Sequence, residues 1–241
     1  MGGLPLCSKS SMDSSAETRR VLFIGLCGPS CAGKSTLAVE LARRLDSPLR
    51  PVPLDAYFVP SRMPFDKWGL NWETPEGVDF VSLREDLQML AATLQESKEV
   101  PEELCIRGWG VGGGNFVRKG CAGRRLQSPV VLLAEGFLLF HDEALSRLFD
   151  ATLWVEAACE VCCSRRHARE ARGADFELYS QWYREVVWAH FQRYREGQLA
   201  HAPRALRLEG EDALEVSVEK AAAHCEERLS LRRGSFEGLY E

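Results

Sequence analysis

The sequence lacks any apolar run near the roughly 20 residues that a membrane-spanning helix needs, and its longest, Val130 to Phe140, is broken by Glu135. This predicts a chain with no membrane partner. The opening, Met1-Gly2-Gly3-Leu4-Pro5-Leu6-Cys7, lacks the apolar stretch of a secretory signal, and Leu6 stands where a myristoylation signal carries Ser or Thr. A basic excess is also missing: 30 Lys and Arg face 35 Asp and Glu, for a formal charge of −5, which argues against a general nucleic-acid binder and for a small partner. The nine cysteines lack the spacing of a disulfide framework, and several (Cys27, Cys159, Cys162, Cys163) lie inside apolar or helical runs. They read as free thiols of a reducing compartment, so the expected location is cytoplasmic. Cys159 and Cys162 have no second Cys or His pair nearby to complete a zinc site. No internal repeat is present.

What the chain does contain is an alternation of buried strands and helices. Val21 to Cys27 is a continuous apolar run, the pattern of a strand covered on both faces of a parallel sheet, and helical periodicity follows from Lys34 to Leu45. Further strands are expected at Arg50–Leu54, Pro129–Ala134, Ala151–Val155 and Arg204–Leu208. Helices are expected at Gly77–Leu94, Asp142–Leu148, Ala158–Arg172, Phe176–Glu196 and Ala213–Leu231. Such an order implies right-handed crossovers and an α/β fold with a doubly wound parallel sheet. Residues 19–232 read as one domain, between a disordered tail over 1–18 and a C-terminal tail over 233–241. Residues 55–75, rich in Pro, Trp and Asp, read as a functional loop. Residues 97–128 lose all period and read as a flexible surface insertion; their run Gly108 to Gly114 has no strand before it and no helix after it, so it is weak evidence for phosphate binding.

Gly28-Pro29-Ser30-Cys31-Ala32-Gly33-Lys34-Ser35-Thr36 satisfies G-x-x-x-x-G-K-[ST] between a buried strand and a helix. A merely tight turn would need neither the Lys nor the Ser. In a phosphate loop, the backbone N–H groups from Gly28 and Ser30 through Ala32, Gly33 and Thr36 surround phosphate oxygens, Lys34 bridges the β- and γ-phosphates, and the Ser35 hydroxyl ligates magnesium. Two carboxylates follow strands: Asp55, about twenty residues beyond the loop, and Glu135 after Val130–Ala134. Asp55 can take the proton of an attacking hydroxyl, or serve only as a turn cap; Glu135 can serve magnesium, or remain a solvated strand-end charge. Arg165, Arg166, Arg169 and Arg172 crowd one predicted helix, with Arg165 and Arg169 on one face. They can clamp a phosphoryl group as a lid, or form a solvated basic face.

These residues, together with Leu54-Asp55-Ala56-Tyr57-Phe58, Asn71-Trp72-Glu73-Thr74-Pro75-Glu76, Glu135-Gly136-Phe137-Leu138-Leu139-Phe140 and Val187-Trp188-Ala189-His190-Phe191-Gln192-Arg193-Tyr194-Arg195, carry a resemblance. The chain resembles the nicotinamide riboside kinases and the neighbouring uridine kinases, P-loop enzymes of nucleoside salvage, over residues 20 to 215. The resemblance implies ATP and Mg2+ as cofactors and phosphorylation of a nucleoside 5′-hydroxyl, with nicotinamide riboside the first candidate acceptor. It implies Asp55 as general base and metal partner, Phe58 near the substrate base, Trp72 and Glu73 at the ribose, Glu135 on the metal side, and Arg166 and Arg169 on ATP. Glu73 stands where the family has Asp, and His167 where a riboside kinase places an arginine near the substrate. Ala171 to Phe176 replaces its Pro-rich lid segment. Uridine or cytidine, pantothenate and glycerate stay open as acceptors. A nucleotide-dependent switch and a non-catalytic relative stay open as other classes, and so does the choice of monomer or homodimer.

Overall fold

The computed structural model describes residues 21–108 and 114–237. The expected tail over 1–18, the tip of the glycine run and residues 238–241 lie outside the described residues. In chain order the elements are β1 (Val21–Cys27), α1 (Lys34–Arg44), β2 (Val52–Pro53), β3 (Phe65–Asp66), β4 (Gly69–Leu70), α2 (Phe80–Glu96), β5 (Val130–Glu135) and α3 (Glu143–Ser146). They continue with β6 (Ala151–Glu156), α4 (Cys159–Glu170), α5 (Phe176–Trp182), α6 (Ala189–His201), β7 (Leu206–Glu209) and α7 (Leu214–Glu237). A π-helical stretch, Tyr183–Trp188, joins α5 to α6, so the single helix expected over 176–196 has one widened turn inside it and runs on to His201.

Five parallel strands form the sheet in the order β2-β5-β1-β6-β7. The apolar runs alternate across it with period two. Leu22, Ile24 and Leu26 of β1, with Val131 and Leu133 of β5, pack among Leu37, Leu41 and Ala221 from α1 and α7. Cys27, Val130, Leu132 and Ala134 face the opposite layer, where Leu83, Leu87, Leu90 and Leu94 of α2 lie. Helices therefore cover both faces, as the sequence pattern implies. Truncating a fully buried side chain such as Leu26 to Ala is expected to cost about 2–5 kcal/mol.

Two regions differ from the sequence reading. The segment over 97–128 is no surface appendage: its described residues bury Val100, Leu104, Ile106, Phe116, Cys121 and Leu126. Its two arms pair antiparallel through Glu99↔Arg125 and Cys105↔Asn115, and the Phe116 amide donates to the Leu104 carbonyl at 2.7 Å. Glycine content masked the apolar positions that anchor it. The last helix runs to Glu237, past the expected boundary at 232. Among the described residues no helix is long and apolar enough to cross a membrane, and every cysteine is free.

Candidate active site

Between Cys27 and Lys34 the chain must leave the central strand and start a helix within six residues. At Gly28 φ is 141°, and a Cβ there would stand 2.3 Å from the Val155 carbonyl oxygen of β6. Gly33, at φ 101°, is the N-cap of α1 and leaves the helix without a side-chain cap. The first-turn amides of α1 thus have no intrahelical partner and, with the positive end of the helix, form an anion cradle. Lys34 is buried, and its ammonium donates to the Pro29 carbonyl at 2.8 Å, which folds it over the loop. An ammonium has three donors, so its others stay available to bound phosphates.

Strand register brings the carboxylates to this cradle. Leu26 of β1 and Pro53 of β2 both pair with Glu135 at the end of β5, and the Ser35 hydroxyl donates to Glu135 Oε1 at 2.9 Å. Asp55 lies just beyond Pro53 in the 3₁₀ turn Leu54–Tyr57, whose other three residues are buried. Burial raises the Glu135 carboxyl above its ordinary range; the Lys34 ammonium opposes this, the Asp55 carboxylate adds to it, and the Ser35 hydroxyl opposes it. Lys34 and Asp55 thus both act on one carboxylate. The oxygen donors Ser35, Asp55 and Glu135 fit a hard divalent cation that keeps several waters. Among the described residues no group of three acidic, His or Cys side chains forms an all-protein metal cage.

Helix α4 contributes to two cavities. One, of about 400 Å³, is lined by Cys31 to Leu37, Arg165, Arg169, Gly210 and Asp212. Ala32, Gly33, Ser35 and Thr36 line it as well as Lys34, and the Ser30 carbonyl behind them accepts from the Tyr183 hydroxyl at 3.5 Å. The other, of about 340 Å³, is lined by Trp68, Trp72, Glu73, Arg166, Tyr179 and Trp182, with Asp66 at its edge. Arg166, expected on the nucleotide, instead lines this second cavity. Its Nη1 donates to Glu73 Oε1 at 2.7 Å, its Nε to Glu170 at 2.9 Å, and its guanidinium lies 5.4 Å from the Trp182 ring centre. Burial works against the Arg166 charge, and the Glu73 and Glu170 carboxylates outweigh it. Arg165, four residues before Arg169, takes the place beside the phosphate loop and donates to the Gly210 carbonyl at 3.0 Å.

Phe58 is buried rather than in the cavity, edge-on to Trp72 at 5.5 Å and stacked on Phe137 at 6.0 Å, so it supports the half-exposed Trp72 from behind. Glu73 is buried, and its amide donates to Asn71 Oδ1 at 3.0 Å. The amide group of Asn71 also contacts Asp66 and His190. His167, expected near the substrate, stands in the last turn of α4 and faces the α4–α5 turn: its Nε2 is 3.0 Å from the Ala174 carbonyl, and its ring meets Phe176 and Tyr179 edge-on. The sequence reading did not single out Trp68, Tyr179 or Trp182; the i, i+3 spacing of the last two on a helix is the signal that points to them.

Residues 23–206 match the model of the phosphoribulokinase / uridine kinase family. The chain belongs to that family. It is therefore a P-loop kinase, a phosphotransferase of a family whose members use ATP and Mg2+. A nicotinamide riboside kinase of Eremothecium gossypii is 28% identical over 204 residues, covering 82% of this chain and 83% of its own. A uridine kinase of Vibrio cholerae is 26% identical over 215 residues, covering 86% of this chain and 96% of its own. Among solved structures, a gluconokinase from Sinorhizobium meliloti superposes with a TM-score of 0.49 at 14% identity, covering 89% of this chain and 98% of its own.

Proposed function

We propose that this kinase transfers the γ-phosphoryl group of ATP to the 5′-hydroxyl of a nucleoside, with nicotinamide riboside as the acceptor and nicotinamide mononucleotide as the product. The observation that carries this reading is the buried Glu73–Arg166 pair in a cavity with aromatic walls that shares helix α4 with the phosphate-loop cavity. A vicinal diol answers such a pair, because each hydroxyl can donate to the carboxylate and accept from the guanidinium. The rings of Trp68, Trp72, Tyr179 and Trp182 suit a flat base. The charged lining, Asp66, Glu73 and Arg166, has one negative charge in excess, which favours a cationic base such as the ribosylated pyridinium of nicotinamide riboside.

In the reaction the acceptor oxygen attacks the γ-phosphorus, the bond from γ-phosphorus to the β–γ bridging oxygen breaks, and ADP leaves. Asp55 accepts the hydroxyl proton. Lys34 and the α1 amides hold the β- and γ-phosphates, and Arg165 and Arg169 close over them, excluding water that would otherwise take the phosphoryl group. Ser35, Asp55 and Glu135 would hold magnesium, directly or through water, which neutralises phosphate charge.

A second reading, phosphorylation of uridine or cytidine, has the uridine kinase relative in its favour. Product detection with ATP and Mg2+ against nicotinamide riboside, uridine, cytidine, pantothenate and glycerate in parallel separates the two. The expected result is fastest turnover of the cationic riboside. Faster turnover of a pyrimidine nucleoside would replace the acceptor assignment, and equal ATP hydrolysis with no acceptor would replace the kinase reading by a nucleotide switch.

A further inference from the structure

Asp55 makes no hydrogen bond or ion pair of its own among the described residues, so its carboxylate is located only by the backbone that carries it. That backbone is held on each flank. On one side Leu54 abuts Gly136, where an added Cβ would come within 2.4 Å of the Leu54 Cβ. On the other, Ala56 abuts Gly108, where an added Cβ would stand 2.8 Å from the Ala56 carbonyl oxygen. Next in the turn is Tyr57, fully buried, whose hydroxyl donates to Asp86 Oδ2 at 2.9 Å.

Asp86 is a wholly buried carboxylate on α2. Three donors satisfy it: the Tyr57 hydroxyl, the Arg107 amide at 2.7 Å on the same oxygen, and Arg107 Nε at 2.7 Å on Oδ1. Two of the three come from the segment over 97–128. Burial and the Asp86 charge raise the Tyr57 phenol, which keeps it a donor throughout the neutral range. The same segment therefore touches the turn twice, through Gly108 on Ala56 and through Arg107 by way of Asp86 on Tyr57.

We infer that Tyr57, Asp86, Arg107 and Gly108 are positioning residues that fix the turn of Asp55, so that the segment over 97–128 belongs to the catalytic apparatus. The inference rests on Asp55 being the proton acceptor. A general base must lie within hydrogen-bond reach of the proton it takes, about 2.6–3.2 Å, and displacement by an ångström is felt in the rate. Gly108 does not have a left-handed φ, so an alanine there is opposed by the Ala56 contact rather than by its own backbone.

Gly108→Ala and Tyr57→Phe are each expected to lower kcat about ten-fold, leaving the Kd for ATP and the KM for the acceptor within a factor of about two. Arg107→Lys keeps the backbone amide and a positive charge beside the buried Asp86 carboxylate, so it preserves the fold better than the buried variants do, and it should act in the same direction by a smaller factor. The discriminating readout is each substitution repeated in Asp55→Asn. If the turn acts through Asp55, none lowers the residual rate further, whereas a merely structural role gives multiplied losses. Wild-type kcat in all three single variants, or multiplied losses with Asp55→Asn, overturns the positioning claim while leaving Asp55 as the base. Near-normal kcat in Asp55→Asn alone overturns the base assignment and this inference with it.

Discussion

The cradle at the end of β1 and the cavity beside Trp182 meet at α4, and they owe their shapes to different parts of the chain. Lys34, Asp55 and Glu135 lie at or beyond the carboxyl ends of three neighbouring strands, whose ladder fixes them to one end of the sheet. The second cavity is assembled from the β3–β4 hairpin, the Asn71–Glu73 stretch and the helices α4 and α5, which are joined mainly by side chains. Lys67 meets Glu185 at 2.7 Å, and Glu73 meets Arg166 at the same distance. A backbone ladder tolerates the loss of one side chain, whereas a surface joined by side chains loses shape with each one removed. Changes at the cradle should therefore act on chemistry with the fold intact, and changes at the second cavity on acceptor affinity and local stability together.

The largest effect that sharpens this contrast is expected from Lys34→Ala, which should lower kcat by about 10²–10³-fold with acceptor binding unchanged. Steady-state rates and acceptor titration on one sample check it; a loss confined to acceptor KM would break the division. Next comes Glu73→Ala. It removes one partner of a buried ion pair, and since Glu170 still pairs Arg166 the stability loss should fall at or below the roughly 3 kcal/mol seen for fully orphaned charges. Acceptor KM should rise at least ten-fold while ATP binding holds. A thermal melt and a KM series read both, and an effect on ATP instead would join the two cavities into one site.

The smallest effect concerns Glu135. Its folded-state pKa is raised, so the protonated carboxyl is favoured in the fold. The stability it contributes is present at acidic pH and is lost as pH rises through the ordinary value of 4.5 towards the raised one. At neutral pH the unliganded protein therefore carries a cost there, and Glu135→Gln should melt no lower than wild type at pH 7 although it loses activity. Melts from pH 4 to 7.5 check the sign; a variant less stable at pH 7 would contradict it.

The difference between the two regions also explains what was legible in the sequence. Asp55 and Glu135 announced themselves because each follows a strand signal, and a strand end in a parallel sheet has a fixed address. The phosphate loop did so through its full pattern between β1 and α1. Arg166 did not: adjacent residues on a helix point about 100° apart, and only the packed lid decides that Arg165 and Arg169 turn to the cradle while Arg166 turns to Glu73. Motif position places His167 near the substrate, yet the turn after α4 offers its ring the Ala174 carbonyl, Phe176 and Tyr179 instead. The segment over 97–128 stayed opaque because its few apolar residues are separated by a glycine run, and its contacts to Asp86 and Ala56 join it to α2 and the Asp55 turn, distant in sequence.

The account rests on the acid at position 55 serving the phosphate held by Lys34. Single-turnover transfer to the riboside by Asp55→Asn, with ATP affinity measured on the same preparation, tests this most directly. The account predicts ATP binding close to wild type and transfer slowed about 10²–10⁴-fold; transfer at the wild-type rate with ATP bound would contradict it.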